Sequence, residues 1–444
     1  MINAQIEWDK YLNAARSCQA VRLAGKIVKV AGIIAEANGP GLSVGSLCEI
    51  KTSEGLDIQA EVIGFNEKRV IVMPFGEMRG VRPGSRIVAV SKRPAVQVGE
   101  SFLGRIIDGL GQPIDGKGRI KGDKRYSIYG DVLNPLKRDI IHDVLDVGIS
   151  SINSLLTIGK GQRIAIMSGS GVGKSVLMGM IARNTSADVT VIALIGERGR
   201  EVREFIERSL GEEGLKKSVV VAATSDSSPL IRIRGAYVAA TLAEYFRDKG
   251  LDVILVMDSI TRFAMSLREV GLASGEPPSA RGYTPSVFGQ IPKLLERAGT
   301  VEKKGSITGI YTVLVDGDDM NEPIADCVRS ISDGHIVLSR DLANKGHYPA
   351  VDVLASISRV MTDIIEPEHH DSAKRLIQVL ATYMEAEDLI RIGAYVDGSD
   401  PDIDVAKKSI GKINSFLQQD IYQKVSFKES VDRLKGLFTD RTDQ

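Results

Sequence analysis

The octet Ser168-Gly169-Ser170-Gly171-Val172-Gly173-Lys174-Ser175 lies between the apolar run RIAIM and the helical run VLMGMIARN. A Gly-rich turn from a buried strand into a helix aims successive backbone N–H groups at one point. The helix N-terminus adds partial positive charge there, so such a junction is built to hold a polyphosphate. Lys174 is expected to reach the β- and γ-phosphates, and the Ser175 hydroxyl to ligate Mg²⁺. Ser170, Gly171, Val172, Gly173 and Val176 complete the expected nucleotide-binding lining. The general pattern begins with Gly where this chain has Ser168, a small residue that the turn can accommodate.

A phosphate loop needs an acidic group at the end of another strand. Leu251-Asp252-Val253-Ile254-Leu255-Val256-Met257-Asp258 supplies Asp258 directly after an apolar run. Its carboxylate could hold the water shell of Mg²⁺, or it could cap the helix that follows at Ser259. Hydrolysis also needs a group to polarise water. Glu197, in Gly196-Glu197-Arg198-Gly199-Arg200-Glu201, follows the strand-like VIALI and is placed at the edge where open α/β sheets bind ligands. Arg198, Arg200 and Glu201 read equally well as a surface charge cluster.

Around these motifs the 444 residues change texture three times, in keeping with about three domains. Residues 1–20 pattern as a short helix, with Trp8, Tyr11, Leu12 and Ala15 at helical spacing, either packed on its own protein or docking a partner. Residues 21–90 hold short β-rich runs separated by Gly, Pro and Asn, the signature of a small barrel or sandwich. Residues 91–370 alternate strand-like and helical runs, as in a parallel sheet covered by helices. RIAIM, TVIALI, VVVAA, DVILVM and ITGIYTVLV are apolar enough to be buried on both faces. Residues 371–444 are helical and amphipathic.

Composition excludes several classes. Lys plus Arg and Asp plus Glu both count 57, so bulk positive charge is not available to hold nucleic acid. Within 21–90 only Phe65 and Phe75 could stack on bases, so the β-rich domain is expected to be structural. Three cysteines far apart form no disulfide framework and suit a reducing cytoplasm. Cys48 and Cys327 are expected to be packing residues. No run approaches the roughly 18 apolar residues of a membrane span, and the first twenty residues lack a signal-peptide core. The five histidines show no ligand spacing, and His369 and His370 are expected to face solvent.

The segments GKGQRIAIMSGSGVGKS, GERGREVREFIE, GYTPSVFGQIPKLLERAG, DGDDMNEPIADCVRSISDGHIVLSR and YPAVDVLASISRV resemble the flagellum-specific ATPases of type III protein export. They also resemble the injectisome secretion ATPases, and both groups are related to the rotary ATP synthase catalytic subunits. The resemblance covers nearly the whole chain. It implies an α/β architecture: an N-terminal small β-barrel, a central P-loop (RecA-like) parallel sheet with helices on both faces, and a C-terminal helical domain. It implies further that Glu197 activates water, that Arg198 lies near the γ-phosphate, that Tyr348 stacks on adenine, and that Arg359 reaches into a neighbouring subunit's site. A Glu at 197, where non-catalytic rotary subunits carry Gln, favours a working site.

The implied protein hydrolyses ATP with Mg²⁺ in a homohexameric ring and energises flagellar protein export. It would release export substrates from chaperones at its C-terminal domain, bind a regulatory export protein at its N-terminal helix, and deliver cargo to the export gate at the membrane. The wording DGDDMNEPIAD favours the flagellar branch over an injectisome ATPase. A Rho-like RNA-dependent ATPase and a non-catalytic nucleotide-binding scaffold are the other classes this core could serve.

Overall fold

The structure, a computed structural model, describes residues 23–438 apart from 40, 53, 54, 56, 92, 93, 131–133, 316 and 318. The helix expected over 1–20 lies outside the described residues. The chain forms two compact units that divide between Pro94 and Ala95.

In the first unit six short strands close a barrel: β1 (Ala24–Ala31), β2 (Ile34–Asn38), β3 (Leu47–Lys51), β4 (Asp57–Asn66), β5 (Arg69–Pro74) and β6 (Arg86–Ser91), in the order β1-β2-β5-β4-β3-β6. Alternate residues fill the interior, among them Cys48 and Ile50, Ala60 and Val62, and Val70 and Val72. Period-two alternation puts such pairs on one face. Cys48 donates its thiol to the Ala60 carbonyl at 3.4 Å. Burial pushes that thiol up to about 12, so it packs as an inert small hydrophobe. Phe75 is buried and Phe65 exposed.

The second unit is built on one large sheet. Its main strands are β7 (Arg105–Asp108), β8 (Arg163–Ser168), β9 (Val189–Ile195), β10 (Ser218–Ala223), β11 (Val253–Asp258), β12 (Ser306–Leu314), β13 (Gly334–Leu338) and β14 (Val351–Ser358). They lie in the order β14-β13-β8-β12-β11-β9-β10-β7, parallel except for β14, which runs antiparallel to β13. Both faces are buried. Odd-numbered side chains such as Met167, Leu255 and Tyr311 enter one core with α2 (Pro229–Asp248), α3 (Ile260–Ala273) and α4 (Pro285–Leu295). Even-numbered ones such as Ile166, Val256 and Ile310 enter a second core with α1 (Lys174–Asn184). This double burial is why the strand runs are continuously apolar.

The chain ends in α5 (Pro367–Arg391), α6 (Pro401–Leu417) and α7 (Phe427–Gly436). Their apolar stripes, including Leu376, Leu380, Ile413, Phe416 and Leu434, join the second core. One expectation is corrected here. His369 is only 2% exposed; its Nε2–H donates to the Ser154 carbonyl at 2.7 Å, and its ring packs edge-on against Phe427. Successive helix residues diverge by about 100°, so when His370 faces outward its neighbour turns towards the core. No described helix is long and apolar enough to cross a membrane.

Candidate active site

β8 ends at Ser168 and α1 begins at Lys174, so the Gly-rich loop spans the C-terminal edge of the sheet. Gly171 and Gly173 have φ of 79° and 93°, a region that L side chains rarely adopt. A Cβ on Gly173 would also stand 3.4 Å from the Tyr348 ring. Thus Tyr348, 44% exposed, lies directly against the loop. Ser170, Gly171, Ser175 and Val176 are exposed along the loop and first helical turn, whereas Val172 is buried beneath it.

Three charged groups meet below the loop. The Lys174 ammonium pairs with Asp258 Oδ1 and lies 3.6 Å from Glu197 Oε1. Asp258 and Glu197 come from the ends of β11 and from just beyond β9, which are adjacent strands in the sheet. Ser175, Glu197, Glu201 and Asp258 line one narrow cavity. Glu197 Oε1 is buried there without a hydrogen-bond partner among the described residues. Burial raises the Glu197 carboxyl to about 7; the nearby Asp258 charge adds to the rise and Lys174 opposes it. A carboxyl poised near neutrality is suited to accept a proton. The Ser175 hydroxyl and Asp258 carboxylate are hard oxygen donors, the chemistry Mg²⁺ takes when substrate phosphates complete its shell.

Two of the expected residues lie elsewhere. Arg198 is turned to solvent, its side chain 82% exposed and 3.7 Å from Glu201. Arg359 follows the end of β14, which starts beside Tyr348 and runs antiparallel to the opposite edge of the sheet. Eight extended residues span roughly 26 Å. Arg359 is exposed at that far edge, with its backbone N–H donating to the Asp333 carbonyl at 2.9 Å. It cannot approach its own Lys174.

A larger cavity, about 510 Å³, is lined by Arg138, Lys160, Asp252 and Lys304 among others. Size does not mark it as the site. Lys160 pairs with Asp252 at 2.6 Å, Lys304 with Asp248 at 2.9 Å and Arg138 with Glu296 at 3.1 Å, so its cations are already neutralised.

Comparison with known proteins agrees with this geometry. Family models match the ATP synthase alpha/beta family β-barrel domain at 27–90, its nucleotide-binding domain at 148–358, and the T3SS EscN ATPase C-terminal domain at 365–436. The flagellum-specific ATP synthase of Bacillus subtilis is 54% identical, over 93% of this chain and 94% of that one. The assembled ATPase EscN of the enteropathogenic E. coli type III secretion system superposes with a TM-score of 0.89 at 45% identity, covering 93% of this chain and 99% of that one. EscN in complex with its central stalk EscO gives 0.86 at 44%, with the same coverage. The chain belongs to the flagellar and type III secretion ATPase family. It is an ATPase of type III export, with the barrel, nucleotide-binding and helical domains of that family.

For this export ATPase, sequence reading missed several residues around the site. Thr312 of β12 donates its hydroxyl to Asp258 Oδ1 at 2.5 Å. Arg262 packs against Gly196, where a Cβ would come within 2.8 Å of its own Cβ, and its Nε is buried without a partner among the described residues. Its position two residues into α3 after Asp258 was the available signal.

The segment between α6 and α7 is strapped to the nucleotide end of the domain. The Gln419 backbone N–H donates to the Tyr348 carbonyl at 3.0 Å. Its side chain accepts from Ser150 N–H at 2.9 Å and donates to the Gly148 carbonyl at 2.8 Å. Arg183, near the end of α1, donates to the Ile421 carbonyl. Ile421 and Tyr422, both exposed, lie beside Arg183, whose guanidinium stands 5.6 Å from the Tyr422 ring. Gln419→Ala strands two buried backbone groups and is expected to cost about 2 kcal/mol in denaturant unfolding. A loss within about 0.5 kcal/mol would show that the strap contributes little.

Proposed function

We propose that this protein hydrolyses Mg²⁺-ATP at composite sites in a homohexameric ring and so energises flagellar protein export. The observation that carries the reading is the meeting of Lys174, Asp258 and Glu197 under a Gly-rich loop at the ends of adjacent parallel strands. The loop amides of Ser170 to Ser175 bind the phosphates, and Tyr348 and the strap hold the base. Lys174 moves from Asp258 to the β- and γ-phosphates. Glu197 takes the proton of the attacking water. Ser175 and Asp258 would hold Mg²⁺, which would supply neutralisation of the phosphate charge.

Charge on the transferring phosphoryl group is met by Arg359 of the next subunit. Having Glu197 and Arg359 at opposite sheet edges suits head-to-tail contacts, which close into rings when the rotation permits. Arg198 is assigned to the γ-phosphate side of the same site, reached by swinging from its exposed position.

The relative's central stalk suggests a comparable export partner here. The turn between α5 and α6 leaves Ile392 and Val396 at 76% and 70% exposure, an apolar tip suited to docking a stalk or a substrate–chaperone complex. The N-terminal segment is assigned to a regulatory protein that brings the ring to the export gate at the cytoplasmic face of the membrane. The flagellar reading rests on the 54% identity to a flagellum-specific relative over nearly the full length.

The test is ATP hydrolysis per subunit measured against protein concentration with Mg²⁺ present. Specific activity is expected to climb with concentration as interfaces form. Specific activity unchanged at dilutions where sizing shows only monomers would rule out a site completed by a second subunit.

A further inference from the structure

Thr312 is fully buried near the C-terminal end of β12, between Tyr311 and Val313. A hydroxyl there costs desolvation unless it finds a partner, and Val would fill the same space without that cost. The register supplies the partner. Met257 of β11 is paired with Tyr311 of β12, so Asp258 and Thr312 are the next residues along parallel neighbours. Alternation along both strands turns them to the even-numbered face, the face covered by α1.

Two donors therefore hold one carboxylate oxygen. The Thr312 hydroxyl, 2.5 Å away, and the Lys174 ammonium both point at Asp258 Oδ1. Thr312 Oγ1 is also 3.5 Å from the Met257 carbonyl, so it is held at the strand end. Among the described residues these bonds fall on Oδ1, which leaves Oδ2 for other ligands.

We infer that Thr312 is a positioning residue for the metal-binding aspartate: its hydroxyl keeps Asp258 oriented when Lys174 leaves Oδ1 for the phosphates. Before nucleotide arrives, Lys174 alone could fix the carboxylate. Afterwards the ammonium is engaged elsewhere, and the Thr312 hydroxyl is what prevents rotation of Asp258 about its own side-chain bonds. This rests on the Mg²⁺-ATPase reading given above.

The test compares Thr312→Val, which deletes the hydroxyl at similar shape, with Thr312→Ser, which retains it. Two quantities are measured on the full-length chain: the Mg²⁺ concentration for half-maximal ATP hydrolysis, and the affinity for a fluorescent ADP analogue with Mg²⁺ or with EDTA. A hydrogen bond to a charged group is worth about tenfold or more. Thr312→Val is expected to need about tenfold more Mg²⁺, with kcat at saturating Mg²⁺ within about threefold of wild type. Its ADP affinity should fall only when Mg²⁺ is present, and Thr312→Ser should restore both values.

An unchanged Mg²⁺ midpoint in Thr312→Val overturns the inference. So does equal weakening of ADP binding with and without Mg²⁺, since that marks a packing defect. If Thr312→Val does not fold, Thr312→Ser decides: a shifted midpoint despite its retained hydroxyl also counts against the assignment. Wild-type protein that binds no nucleotide would instead overturn the ATPase reading, and the inference with it.

Discussion

Glu197→Gln is expected to reduce ATP hydrolysis by about 10²- to 10⁴-fold while leaving nucleotide binding intact. The amide keeps the size of the side chain in the narrow cavity beside Ser175 and Asp258 but cannot accept the proton of the attacking water. The wild-type pH profile carries the same information. Burial raises the free-enzyme carboxyl to about 7 from its ordinary 4.5. The group works in its charged form, so protonation below pH 7 removes it. The acidic limb of kcat/KM for ATP should have its midpoint near 7, and below it the rate should fall by about tenfold per pH unit. Single-turnover rates and ATP binding across pH 5.5–8.5 would check both expectations. A limb near 4.5, or a Gln variant within a few-fold of wild type, would mean that another group activates the water.

Arg359→Ala is expected to slow hydrolysis by about 10³- to 10⁵-fold, with ATP binding preserved, because the guanidinium meets charge that develops only during transfer. A direct check uses two inactive proteins. Arg359→Ala retains a sound Glu197 site, and Glu197→Gln retains a sound finger. Mixed in equal amounts and allowed to exchange, they should regain activity, since roughly one interface in four then pairs a good site with a good finger. Recovery requires Arg359 to act between subunits, as its place at the far end of β14 demands. Activity that stays at the level of the separate variants would refute that assignment, provided that the mixture forms rings.

Much of the site was legible from the chain alone because each part follows a local rule. The Gly-rich turn is punctuated by a β-branched run before it and a helical run after it. Asp258 and Glu197 stand at or just beyond the ends of apolar runs that became β11 and β9. Those runs are unbroken because both faces of the sheet are buried, and this gave the α/β class and the identity of its central strands. The edge strand β7 and the pair β13 and β14 were not among the runs recognised. GHIVL and VDVLASIS mix polar and apolar residues, and β14 is half exposed.

Sequence patterning by itself determined the central strands of the sheet, the helical runs around them and the side chains at those strand ends, but not the strands β7, β13 and β14. It could not decide which strand ends become neighbours. That was left to the tertiary order β14-β13-β8-β12-β11-β9-β10-β7, which seats Thr312 beside Asp258 and places Lys174 within reach of Glu197. The same order sends Arg359 to the edge away from its own loop, buries His369 against Ser154 and lets Gln419 reach Tyr348. The physical reason is that backbone propensity and hydrophobic period act over a few residues. These contacts join positions tens to hundreds of residues apart, and packing of the whole sheet and its helices selects them.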